Sequence, residues 1–166
     1  AIQEAFTECG MRNVQVSGIN KFGPSLEEME NRYLKLNGQN ELSSYMLGFH
    51  AEYTCSKELL EDIASMAKKY QAPVFTHNSE TALEVAECKE RYGVSPTVLF
   101  DQIGLYDFGG GGYHCVHMCD ADYEVFKKLV PYCSYRNVNI LSFFFSYSSI
   151  VNTRCHQLHR NRLLHY

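Results

Sequence analysis

The chain has no apolar run long enough to cross a bilayer; its longest, "ILSFFFS", is far too short. No basic segment precedes an apolar stretch, so no secretory signal is visible. The seven cysteines, Cys9, Cys55, Cys88, Cys115, Cys119, Cys133 and Cys155, are odd in number and scattered. That argues against a disulfide framework and for reduced thiols in a cytoplasmic protein. No G-x-G-x-x-G joins a strand to a helix, and "GGGG" at 109–112 lies ahead of an expected strand rather than a helix, which excludes a dinucleotide or phosphate loop. Acidic residues are missing altogether from 131–166, which hold Arg136, Arg154, Arg160 and Arg162 but no lysine. All 19 acids lie before that point. The arginines are spread among Ser, Phe, Tyr and His instead of lining one face, so a nucleic-acid partner is not expected.

What is present suits a globular domain. Of 166 residues, 45% are hydrophobic and 20% charged, with a net charge of −4. The chain opens at Ala1 without a methionine, and further sequence upstream is expected. "AIQEAFTEC" reads as the end of a helix stopped by Gly10, and "RNVQVSG" as a strand. "SLEEMENRYLKLN" is a helix capped by Ser25 with acids in its first turn. "SSYMLGFH" is a buried strand. "CSKELLEDIASMAKKYQ" is an amphipathic helix capped by Ser56, with Leu59, Leu60, Ile63, Met66 and Ala67 in one stripe. A strand "APVFTH", helices "ETALEVAECKERYG" and "SPTVLFDQIGL", a strand "GGYHCVHM" and a helix "CDADYEVFKKL" follow. Such alternation predicts an α/β protein with a parallel sheet, either doubly wound or part of a (β/α)8 barrel.

Three histidines, His50, His77 and His114, fall at or near the C-terminal ends of successive expected strands. In a parallel barrel these ends converge on one face, where active sites lie. A single strand-end histidine is more often structural than a ligand. Three in series, with Glu80 beside the second, leave the structural and functional readings evenly balanced on spacing alone. "HCVHMC" lacks a second ligand pair at finger spacing and is not expected to hold structural zinc, and His117 is expected to pack or to support another residue. Cys55, ahead of a helix, is read as a loop residue and not as a nucleophile.

The phrases "LGFHAEYTCSKELL", "PVFTHNSET" and "GGYHCVHM" resemble, in order and spacing, the metal-dependent amidohydrolase superfamily. Within it they are most similar to the S-adenosylhomocysteine and methylthioadenosine deaminases, with chlorotriazine hydrolases and guanine deaminases nearby. The resemblance covers about residues 1–129. It implies the (β/α)8 barrel fold, with only about strands three to six present. It implies an aminohydrolase that deaminates a purine nucleoside-like or related nitrogen heterocycle through metal-activated water. By resemblance, His77 is a metal ligand, Glu80 the proton-shuttling catalytic carboxylate, His114 the catalytic histidine that orients the water, and His50 a substrate contact. The implied cofactor is zinc, or another divalent metal such as iron. The implied partner is a small heterocyclic substrate, with neither nucleic acid nor membrane, and self-association of the full-length protein stays open.

The ligand set is incomplete: the family's H-x-H pair after the first strand and its aspartate after the eighth have no counterpart. "VSGI" (16–19), Pro24 and Ser25 stand where relatives carry arginines, and Glu52 stands in place of a proline. Residues 1–130 are therefore expected to form the central part of a barrel. Residues 131–166, which match no family pattern, are expected to be an atypical basic tail, either the product of an altered reading frame or a genuine lineage-specific strand and tail. The alternative to an enzyme portion is an inactive truncated half-barrel or an interaction module.

Overall fold

A computed structural model describes residues 2–134 of the chain, with side chains described through Leu129. The elements are α1 (Ile2–Glu8), β1 (Asn13–Val16), α2 (Leu26–Leu36), β2 (Ser43–Gly48), α3 (Lys57–Tyr70), β3 (Val74–Asn78), α4 (Ala82–Tyr92), α5 (Pro96–Gln102), β4 (Gly110–His114) and α6 (Asp120–Ser134). A single 3₁₀ turn, Glu52–Thr54, follows β2. The tail expected from 131 onward lies almost wholly outside the described residues.

The sheet is parallel throughout, with spatial order β1-β2-β3-β4. This order decides between the two folds the alternation allows. A doubly wound sheet reverses its strand order at a switch point, whereas a barrel adds each strand to the same edge. There is no reversal here. The stagger points the same way: Asn13 pairs with Ser43 at the start of β2, but Val74, which opens β3, pairs with Leu47. Closing a sheet needs such an offset. The four strands form a curled half-barrel with helices around it.

Local signals start and stop the helices. Ser25 Oγ accepts from the Glu28 amide (3.1 Å) and Ser56 Oγ from the Leu59 amide (3.2 Å). Gly93, at φ 78°, closes α4 in the left-handed conformation. The stripe of α3 buries Leu60, Ile63, Met66 and Ala67 against the sheet. Phe100 of α5 is fully buried and meets Phe49 edge-on at 5.2 Å. Among the described residues no helix is long and apolar enough to cross a membrane.

The structure revises one expectation. The strand expected from Gly111 starts one residue earlier, at Gly110, so most of the glycine run is strand and not a lead-in. Gly110, Gly111 and Gly112 are the strand, paired with Val74, Phe75 and Thr76. A Cβ on Gly110 would lie 2.2 Å from the Val74 carbonyl oxygen, and one on Gly112 would lie 2.7 Å from Asn78 Cβ and Cys115 Sγ. Glycine is disfavoured in strands by propensity, but here neighbouring backbone at Gly110 and neighbouring side chains at Gly112 leave no room for a Cβ.

Candidate active site

His50, His77 and His114 come together at the C-terminal end of the sheet. The ring of His77 lies between the other two, with centroids 5.0 Å from His50 and 5.2 Å from His114, the latter pair stacked at 24°. Register explains the convergence. His50 follows β2 by two residues, and its peptide bridges the neighbouring chains: its amide donates to the Ile19 carbonyl (2.8 Å) and its carbonyl accepts from the His77 amide (3.0 Å). The same carbonyl accepts from His77 Nδ1 at 2.8 Å and from Thr76 Oγ1 at 3.1 Å. A carbonyl can only accept, so Nδ1 of His77 carries the hydrogen. Nε2 is left with its lone pair free, as a metal-ligating imidazole requires.

Glu80 lies in the loop between β3 and α4, and its Oε1 is 3.7 Å from His114 Nε2. Both side chains are partly exposed, at 47% and 36%. That is beyond hydrogen-bond length but within the reach of an ion pair. His50 Nδ1 sits 3.2 Å from the Thr54 hydroxyl. The four residues expected from the sequence thus lie together on one face.

The backbone here is unusual. Ser79 (φ 50°), His114 (φ 67°) and Cys115 (φ 52°) all occupy the left-handed region without being glycine. The Cys115 amide donates to the Tyr113 carbonyl (2.9 Å), which makes a γ-turn centred on His114. β4 therefore ends at His114 rather than running on through Met118. Cys115 turns inward, its thiol donating to the Gly112 carbonyl (3.4 Å). Burial pushes that thiol up to about 12. His117 is exposed on the following loop and does not pack. "HCVHMC" therefore does not gather into a metal site. Cys55 is also buried, its thiol raised to about 11 by burial, which suits a packing role and not a nucleophile.

Two carboxylates matter here that sequence reading passed over or could not place. Glu52 points away from the three rings. Its side chain is 1% exposed, and its Oε2 meets Arg91 of α4 at 2.6 Å. Its partner is remote in sequence, so only the fold reveals it. Glu84, in the first turn of α4, is buried and accepts the backbone amides of Ser79 (3.1 Å) and Glu80 (2.9 Å). The pattern Thr81-x-x-Glu84 is a capping-box signature and was the available clue.

As to a metal, His77 Nε2 fits as one ligand. Among the described residues no group of three His, Cys, Asp or Glu side chains could hold an ion, so the set is not complete within this part of the chain.

With this geometry in place, comparison with known proteins is direct. Residues 21–142 match the amidohydrolase family, and the chain belongs to that family. It is 35% identical over 147 residues to a 5'-deoxyadenosine deaminase of Methanocaldococcus jannaschii, covering 84% of this chain and 33% of the relative. It is 34% identical over 135 residues to a 5-methylthioadenosine/S-adenosylhomocysteine deaminase of Caldanaerobacter subterraneus subsp. tengcongensis, covering 77% and 31%. In fold it is similar to a zinc-bound adenosine deaminase from Xanthomonas campestris, with a TM-score of 0.65, 24% identity, and coverage of 76% of this chain and 30% of that one. The chain spans about a third of the length of the curated relatives it matches.

Proposed function

We propose that this chain is the central part of a metal-dependent aminohydrolase that deaminates a purine nucleoside-like or related nitrogen heterocycle. The observation that carries this reading is the grouping of Glu80, His114 and His77 at the C-terminal ends of parallel strands, in a chain whose relatives include deaminases of adenosine derivatives. The net reaction adds water to an amidine-like ring carbon, forms a C–O bond, breaks the C–N bond and releases ammonia.

His77 would offer Nε2 as a ligand to a divalent ion, zinc or iron, completed by ligands from the rest of the protein. That ion, when bound, makes water a stronger acid and so a better nucleophile at neutral pH. Glu80 takes one proton from the attacking water and delivers it to the ring nitrogen, then takes the remaining proton of the added hydroxyl and passes it to the departing amine, which leaves as ammonia as the ring carbonyl forms. His114, across from Glu80, hydrogen-bonds the attacking oxygen and orients it. His50 contacts the substrate ring. Residues 1–130 supply the middle strands of the barrel and residues 131–166 a separate basic tail, and the protein works in the cytoplasm on a small molecule. The incomplete ligand set favours a second reading for the chain on its own, an inert half-barrel.

Glu80→Gln placed in a complete, zinc-loaded protein tests the assignment. Ammonia release from adenosine, 5'-deoxyadenosine and methylthioadenosine is expected to fall by about 10²–10⁴. Unchanged turnover removes Glu80 from the chemistry. Zinc retention by the purified 166-residue chain, measured by elemental analysis after dialysis, separates the enzyme reading from the inert one.

A further inference from the structure

We propose that Glu84 is a positioning residue: its buried carboxylate holds the loop that carries Glu80 and so sets the Glu80–His114 pair. The inference rests on the reading of Glu80 and His114 given above.

Glu84 is 4% exposed, at a helix position where an apolar residue would be cheaper to bury. Its charge is met by backbone, with one amide on each oxygen, and by the positive end of α4. In an ordinary capping box, the carboxylate three residues into the helix returns to the amide of the capping residue. Half of that box is present, since Thr81 Oγ1 accepts from the Glu84 amide at 3.1 Å. The other half is diverted. The carboxylate reaches past Thr81 to Ser79 and Glu80. The helix start has its cap from Thr81, so the Glu84 side chain serves the loop before the helix.

Ser79 makes that loop a joint between the two catalytic candidates. It sits at φ 50° and is fully buried. Its amide goes to Glu84, while its carbonyl accepts from the amides of Val116 (3.1 Å) and His117 (2.9 Å), just beyond His114. The neighbouring Asn78 carbonyl accepts from the Cys115 amide at 2.9 Å. A left-handed serine relaxes if its anchors are cut. When it does, the Glu80 loop and the His114 turn move relative to each other, and the 3.7 Å separation is lost.

The experiment is site-resolved NMR on the full 166-residue chain, comparing wild type, Glu84→Gln, Glu84→Asp and Glu80→Gln. Glutamine keeps the shape but turns one acceptor into a donor facing an amide. In the wild type, the Ser79 and Glu80 amides are expected to exchange as slowly as the interior of α4. In Glu84→Gln both should exchange at least about tenfold faster, with Leu60 and Ile63 of α3 unchanged. The His114 ring resonances should move to where Glu80→Gln puts them. Glu84→Asp, a methylene shorter but still charged, should fall between. The proposal is overturned if Glu84→Gln leaves the two amides and the His114 ring as in wild type. It is also overturned if exchange rises equally across α3, since Glu84 is then only structural. Should Glu84→Gln not fold, the wild type alone decides: rapid exchange at Ser79 and Glu80 overturns the clamp, and slow exchange supports it. Failure of the ammonia-release assay would remove the catalytic reading and leave this result standing.

Discussion

At the N-terminal ends of the strands, the chain behaves as a relaxed polypeptide. Asn13 and Thr7 share the Ser43 hydroxyl through side-chain hydrogen bonds of 3.3 and 3.4 Å. Positive φ occurs there at Gly109 and Gly110, and at Gln71, the left-handed cap that ends α3. Two of these are glycines and the third is a helix end, where the left-handed conformation is common, so Gln71 is the single non-glycine of this kind at that end among the described residues. At the C-terminal ends, Ser79, His114 and Cys115 hold the same conformation without glycine's freedom, next to three clustered imidazoles. Strain of this kind costs on the order of 1–3 kcal/mol per residue and persists only where surrounding contacts enforce it. One end of the sheet spends little conformational energy, while the other stores it beside the candidate chemistry.

That contrast can be broken or sharpened by experiment. Phe100→Ala, in the relaxed interior, should give the largest loss of stability, about 3–5 kcal/mol by urea unfolding. It should leave the geometry of the histidines unchanged by NMR. Arg91→Ala removes the cation facing the 1%-exposed Glu52 side chain. A loss of about 2–3 kcal/mol is expected, since one partner of the pair remains reachable by water. Glu52→Gln in the same background should recover part of it, and additive effects would show that the pair is not coupled.

His114→Gly is the sharpest test of stored strain. Glycine adopts φ 67° freely, so stability should hold or rise by about 1 kcal/mol while deamination by the complete protein is lost. A clear loss of stability would mean that the His114 ring is structural.

The smallest effect concerns the buried thiols. Burial raises Cys55 from 9.0 to about 11, and Cys88 and Cys115 to about 12. The folded state therefore keeps protons that the unfolded state releases. This contribution is full below about pH 9 and is lost as pH rises toward 11–12. Stability should decline across that window, and site-resolved alkylation at pH 8 should modify exposed Cys9 well before these three. Early modification of Cys115 would show that the γ-turn opens.

Much of this was legible in the sequence because the signals are local. Ser25 and Ser56 cap their helices as read, the α3 stripe faces inward, and the three histidines lie at three adjacent strand ends. What could not be read is set by contacts between distant segments. Gly110 looked like a lead-in to the strand because the Val74 carbonyl that crowds it belongs to β3, far away in sequence. Glu52 looked like an anomaly next to His50 because Arg91, its partner, lies on another helix. The turn at His114 carries no glycine to announce it, so a strand was expected to continue. Glu84 showed its cap pattern but not its diversion to the preceding loop.

The glycines of β4 bear on how this framework could change over time. At Gly110 and Gly112 of β4 a Cβ would fall within 2.2–2.7 Å of neighbouring atoms, so neither position takes a side chain unless its neighbours shift. Those two positions beside His114 are closed to drift. Variation has to accumulate elsewhere, and the turn after His50 is where it can, since an acid there can be answered by a cation on α4. Homologues built on this pattern should keep small residues at Gly110 and Gly112 and differ more at Glu52, where the buried acid and Arg91 can change together.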